Sequence, residues 1–176
     1  MTELTDLILA ARRAGGASDP AAALLRLQRE IAASAAEVLG WLPGAGVDEH
    51  VVHAEPTLTL LRVEIGPRTE YPPHDHLIPA CIAVLEGRET NTFYRADGSG
   101  ITGVGETDTA AGSVLPMDER VIHSVANRTA GRSVALHVYL GDLFHLSRTI
   151  WGPATGAAGP YSDERYFALA RTTAPA

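Results

Sequence analysis

The residues best suited to chemistry in this chain are two histidines one residue apart, His74 and His76, in the stretch Tyr71-Pro72-Pro73-His74-Asp75-His76. At i and i+2 of an extended segment, two imidazoles project from one face and can converge on one ion. A third, His123, follows Gly112, Pro116 and a polar turn and precedes Asn127, where a returning strand would bring it to the same spot. Neutral imidazoles bind Zn, Fe, Cu or Ni, so three of them indicate a metal without choosing it. Proline at 72 and 73 stiffens the approach, and Gly66-Pro67 marks a turn before it. Of the other histidines, His50, His53 and His145 have no partner at a ligand spacing, and Asp75, Asp118 and Glu119 read as solvated or structural.

Bringing three histidines together needs strands, and the texture supplies them from His50 onward. Short runs rich in Val, Leu, Ile and Thr alternate there with Gly, Pro, Asp and Asn. The pattern predicts strands over Val51-His53, Thr57-Ile65, Leu77-Leu85, Thr90-Arg95, Gly103-Ala110, Ser113-Leu115, Ile122-Arg128 and Ser133-Tyr139, with a turn at Ala96-Asp97-Gly98-Ser99-Gly100. Before them, Leu4, Leu7, Ile8 and Ala11 recur at helical spacing within Thr2 to Ala14, and Gly15-Gly16 stops that helix. Asp19-Pro20 is an N-cap followed by proline at the first helical position. It opens a second helix striped by Leu24, Leu27, Ile31, Ala35 and Val38, which Gly40 and Pro43 end. Helices first and many short strands afterwards predict a mostly β antiparallel sandwich or barrel rather than α/β alternation. The expected organisation is one domain: a helical segment over 1–49 packed outside a barrel over 50–151, then a tail over 152–176 that is loose from Gly152 to Pro160 and carries a short helix at Ser162 to Arg171.

Composition bounds the function. A chain of 176 residues, 45% apolar and 20% charged, can bury a core of its own. The net charge of -7 argues against nucleic acid and anionic membranes as partners. A lone cysteine, Cys81, allows no intrachain disulfide, and the first ten residues lack a signal-peptide pattern, so a cytoplasmic protein is expected. No run approaches the roughly 18 apolar residues of a membrane helix.

Gly66, His74, His76 and Gly87, then Gly112, Pro116, His123 and Asn127, resemble the two motifs of the cupin superfamily. The resemblance spans about Gly66 to Asn127 and implies a double-stranded β-helix with a metal inside the barrel. Cupins usually place a glutamate ligand soon after the second histidine; here Leu77-Ile78-Pro79-Ala80 offers no carboxylate, which leaves three neutral ligands. Within the cupins this pattern is similar to the thiol dioxygenases of the cysteine dioxygenase and 3-mercaptopropionate dioxygenase type. Their HDH motif stands here as His74-Asp75-His76, and their Ser-x-His-x-Tyr falls on Ala135-Leu136-His137-Val138-Tyr139, with alanine in the place of serine.

That resemblance implies Fe(II) held by His74, His76 and His123, and a small thiol acid and O2 as the reacting partners. It implies His137 and Tyr139 as catalytic groups that orient them. The bacterial branch binds the substrate carboxylate with an arginine downstream of the tyrosine, which matches Arg148. Cysteine-type enzymes use one on the strands before HDH, where Arg62 lies. Tyr71 is expected to line the substrate pocket. Some members cross-link a cysteine to the tyrosine matching Tyr139, but strand parity puts Ala80 rather than Cys81 on the ligand face, so Cys81 reads as a small buried hydrophobe. Ala135 leaves open a non-thiol substrate or a non-catalytic metal-binding barrel, and the chain is expected to act as a monomer or homodimer.

Overall fold

The computed structural model describes residues 3–44, 46, 49–98 and 100–173. Thr2 at the expected start of the first helix and Ser99 at the expected turn lie outside the described residues. Three helices come first: α1 (Leu4–Gly15), α2 (Pro20–Ala33) and α3 (Ala35–Trp41). Asp19 caps α2 as its sequence predicts, its Oδ1 accepting the Ala22 N–H at 3.0 Å, with Pro20 in the first turn. The single stripe expected to run to Leu39 breaks at Ser34, whose backbone leaves helical geometry at φ -112° and ψ 30°. Serine favours helix ends over interiors, and here it closes one helix and opens the next.

The strands in chain order are β1 (Glu49–Glu55), β2 (Leu58–Ile65), β3 (Thr69–Glu70), β4 (His74–Asp75), β5 (Ala80–Glu86), β6 (Arg88–Asp97), β7 (Gly100–Ala110), β8 (Val114–Met117), β9 (Ile122–Asn127), β10 (Ser133–Tyr139), β11 (Thr149–Trp151), β12 (Ala158–Pro160) and β13 (Arg171–Thr172), with helix α4 (Asp163–Ala168) before the last. One sheet runs β1-β2-β10-β5-β8. The other runs β12-β11-β4-β9-β3-β13, with β6 on β9 and β7 on β6. All pairings are antiparallel. This is the mostly β barrel expected, with its N-terminal helices packed outside.

The apolar residues divide between two cores by strand parity. Leu58 and Leu60 of β2, Cys81, Ala83 and Leu85 of β5, and Leu136 and Val138 of β10 face Leu24, Leu27 and Ile31 of α2. Their neighbours Leu61, Val63 and Ile65, Ala80, Ile82 and Val84, and Ala135 and Tyr139 face the barrel interior with Val125 and Ile150. A strand covered on both faces reads as an unbroken apolar run, which is what Ala80 to Leu85 is and what Val134 to Val138 is but for His137. Each fully buried leucine contributes roughly 1.5–3 kcal/mol. Among the described residues Gln28 of α2 is a buried polar side chain that ties helix to sheet, its Nε2 donating to the Cys81 and Leu136 carbonyls at 2.5 and 3.2 Å.

Two expectations are corrected. The predicted strand Leu77-Leu85 starts only at Ala80, because Leu77 takes a left-handed backbone (φ 59°) and Pro79 has no N–H to give a ladder. The stretch expected to be loose ends in order, with β12 paired to β11. Beyond it α4 lies within the expected Ser162 to Arg171, Ser162 capping it by accepting the Arg165 N–H at 3.2 Å, and β13 pairs with β3. Tyr166 of that helix is 3% exposed. A Gly- and Ala-rich segment shows no periodicity in sequence, yet two tyrosines suffice to anchor it against the barrel.

Candidate metal centre

β4 and β9 lie side by side with His74 directly opposite His123, a cross-strand pair whose side chains meet on one face. His76 follows β4 immediately, outside the strand and just before the left-handed Leu77, and its ring lies beside the other two. The Nε2 atoms of His74 and His76 are 3.1 Å apart, and those of His76 and His123 3.3 Å. Nitrogens bound about 2.1 Å from a shared ion at angles of 90–110° would be roughly 3.0–3.4 Å apart. The three ligand atoms lie within 4.8 Å of one another, and all three residues are buried. The residues present therefore fit a metal ion.

Their surroundings set the tautomers. His74 Nδ1–H donates to the Pro72 carbonyl at 3.0 Å, and His123 Nδ1–H donates to Asn91 Oδ1 at 2.8 Å, so each presents an Nε2 lone pair inward. Burial is the main cause that lowers His74 to about 4 and holds His76 and His123 well below the ordinary imidazole value. Three uncharged donors follow, with no carboxylate among them. Asp75 is no ligand: its Oδ1 accepts the Thr149 N–H at 2.7 Å and so fastens β11 beside β4.

The structure brings His137 and Tyr139 to the same interior. The His137 Nδ1 and the Tyr139 hydroxyl are 3.1 Å apart, and the Tyr139 ring meets His76 edge to face at 4.9 Å. Burial keeps His137 neutral, down to about 3, and holds Tyr139 well above its usual range. Ala135 shares this face, where the resembling motif carries serine. Arg148 is 8% exposed, its Cζ 3.6 Å from the Tyr161 ring centroid, and its charge further lowers His74 and His76. Tyr71 is placed one layer out: it stacks on Tyr166 at 4.8 Å, and Tyr166 meets the His74 ring at 5.1 Å.

The other candidates lie elsewhere. Arg62 is on the outward parity of β2 and pairs with Glu64 at 2.6 Å. Cys81 faces the helices, across the sheet from Tyr139, and burial pushes its thiol up to about 12. His53 binds Glu55 at 3.0 Å, and His145 binds Asp142 at 2.7 Å. Sequence reasoning passed over Asn91, Tyr161 and Tyr166. Asn91 gave no signal: it shares a face of β6 with Phe93, which lies opposite His123, but that register is not contained in local spacing. The two tyrosines had none beyond their type.

No protein-family model matches the chain. Solved structures similar in shape include an oxalate oxidase in complex with glycolate, at 15% identity over 57% of each chain with a TM-score of 0.46. The cupin domain of Schizosaccharomyces pombe Cnp3 matches at 14% identity over 57% of this chain and 67% of that one, with a TM-score of 0.47. Procruciferin, an 11S globulin from Brassica napus, matches at 15% identity over 48% of this chain, with a TM-score of 0.41. The chain thus spans 21% of the procruciferin length and 57% of the oxalate oxidase. Its likeness to these solved structures, a cupin domain among them, is a likeness of fold.

Proposed function

We propose that the chain is a mononuclear non-haem Fe(II) dioxygenase that oxidises a small thiol acid, of the 3-mercaptopropionate or cysteine kind, to its sulfinate with O2. The observation that carries this reading is a buried set of three neutral imidazoles without a carboxylate, sharing its surroundings with a buried arginine. His74, His76 and His123 would hold the iron. When bound, the metal supplies Lewis acidity that lowers the thiol pKa and the redox capacity to use O2.

The chain's own residues do the rest. The Arg148 guanidinium, held over the Tyr161 ring, binds the substrate carboxylate through its planar fork. The Tyr139 hydroxyl keeps its proton and, steadied by His137, offers an O–H donor to the reacting groups. Tyr166 and Tyr161 wall the histidines off from water on the His74 side.

Oxygen uptake by anaerobically Fe(II)-loaded protein tests the reading, with 3-mercaptopropionate, cysteine, cysteamine and mercaptosuccinate as candidates and His123→Ala as control. Uptake with one thiol acid, a sulfinate product and loss of both in the variant are expected. Cysteamine, which lacks a carboxylate, should be a poor substrate. Arg148→Lys should raise KM for the acid by roughly tenfold or more, a loss of about 1.4 kcal/mol or more in binding. Stoichiometric iron with no uptake from any thiol would sink the proposal and turn the search to a non-thiol substrate.

A further inference from the structure

Glu89 is a carboxylate with no place in the scheme above. It is 0% exposed on β6, and its one bond is weak, the Ser133 hydroxyl donating to Oε1 at 3.5 Å. Its Oε2 has no partner. Two residues along the same strand face, Asn91 is also 0% exposed, accepts the His123 Nδ1–H on its Oδ1, and leaves Nδ2 without a partner. A donor and an acceptor, both buried and both unmet, thus stand at neighbouring positions of one face, about 6.5–7 Å apart at the backbone. One water between them would satisfy both, and buried waters are found where buried polar groups otherwise lack partners.

An amide can face His123 in two ways. With Oδ1 toward the ring, His123 carries its proton on Nδ1 and keeps Nε2 free to bind metal. With Nδ2 toward the ring, the proton must move to Nε2, which disables the ligand. Whatever receives Nδ2 on the far side of Asn91 therefore decides the state of the ligand. We propose that Glu89 is that terminus: a positioning residue that, through one bridging water, fixes the Asn91 amide and with it the ring tautomer of His123. The inference rests on the three-histidine centre being a metal site, and on no choice of substrate.

Burial pushes the Glu89 carboxyl up to about 7, so its ionisation falls in an accessible range. The charged groups of the neighbouring strands turn away from it. Asp108 of β7 takes the Thr90 hydroxyl, Arg128 after β9 pairs with Glu106, and Arg132 before β10 pairs with Glu86. Glu64 of β2 is held by Arg62 on the outward face. Among the titratable groups of the interior, Tyr139 and His137 of β10 and the three histidines stay uncharged near pH 7.

The test uses the metal-free protein, labelled with nitrogen-15 and followed by NMR from pH 5.5 to 8.5 (a range chosen to bracket about 7). The His123 ring nitrogens and the Asn91 side-chain amide should move together with one midpoint near 7, and Glu89→Gln should abolish that movement while keeping a single Nδ1–H signal. Flat signals in the wild type, or the same movement in Glu89→Gln, would overturn the proposal. Glu89→Met supplies an independent arm. Co(II) affinity, measured against a chelator, should fall by about 10–100-fold in Met and stay near wild type in Gln, and equal affinities in folded Met and wild type would equally overturn it. Neither arm needs a thiol or oxygen, so a failed uptake assay leaves both readable.

Discussion

Each imidazole of the centre is restrained in a different way. A backbone carbonyl holds His74, the Asn91 side chain holds His123, and the edge of Tyr139 packs on His76. A backbone acceptor cannot be mutated away, but Asn91 can. Asn91→Ala should weaken Co(II) or Fe(II) binding about 10–100-fold in a chelator competition while all three ligands remain. The low values of His74, about 4, and His137, about 3, also set a pH dependence for the metal-free protein. An unfolded histidine titrates near 6.5, so between pH 4 and 6.5 the unfolded chain binds more protons and stability rises with pH. Each such histidine contributes on the order of 3 kcal/mol that is lost as pH falls through that window. Glu89 acts in the opposite sense, since its raised carboxyl makes stability fall as pH rises from 4.5 to about 7. The four buried histidines outnumber it, and denaturant midpoints of metal-free protein should fall from pH 6.5 to pH 4. At this scale the sequence was most legible where residue type and spacing coincide, as in His74 and His76. It was silent on Asn91, because a ligand's partner across a sheet is set by register, which local spacing does not contain.

At the scale of elements, the site depends on two joints. The β5–β6 turn places Gly87 at φ 74°, where an added Cβ would collide with the Arg132 carbonyl at the head of β10. Gly87→Ala should cost more than about 2 kcal/mol in chemical denaturation, through both the left-handed backbone and that contact. The second joint is α4, which seats Tyr166 between Tyr71 and His74 through ring contacts of 4.8 and 5.1 Å. Tyr166→Ala should cost roughly 3–5 kcal/mol and also weaken metal binding, because it removes a buried ring that packs on a ligand. Strands with clean alternation or unbroken apolar runs were readable in advance. The two- and three-residue strands β3, β4, β11, β12 and β13 were not, since so short a segment has no period and pairs only because its neighbours hold it in place.

Across the whole molecule, one sheet divides the protein into two cores with different duties. The outer one, between α2 and the sheet, carries stability; the inner one surrounds the histidines. Ile31→Ala, deep in the outer core, should therefore destabilise by roughly 2–5 kcal/mol while leaving metal affinity unchanged, as paired denaturation and chelator titrations would show. No described helix is long and apolar enough to cross a membrane. The general architecture was legible because helix and strand periods separate cleanly near residue 50; the closing of the barrel by the last segment was not. That closing has a consequence for how the protein is made. All three histidines leave the ribosome well before Tyr161 and Tyr166, yet β11 and α4 complete the walls around His74. A chain whose last segment has not yet docked lacks the Tyr161 and Tyr166 rings beside His74, so the three histidines reach their enclosed setting only after the final tyrosine has been made.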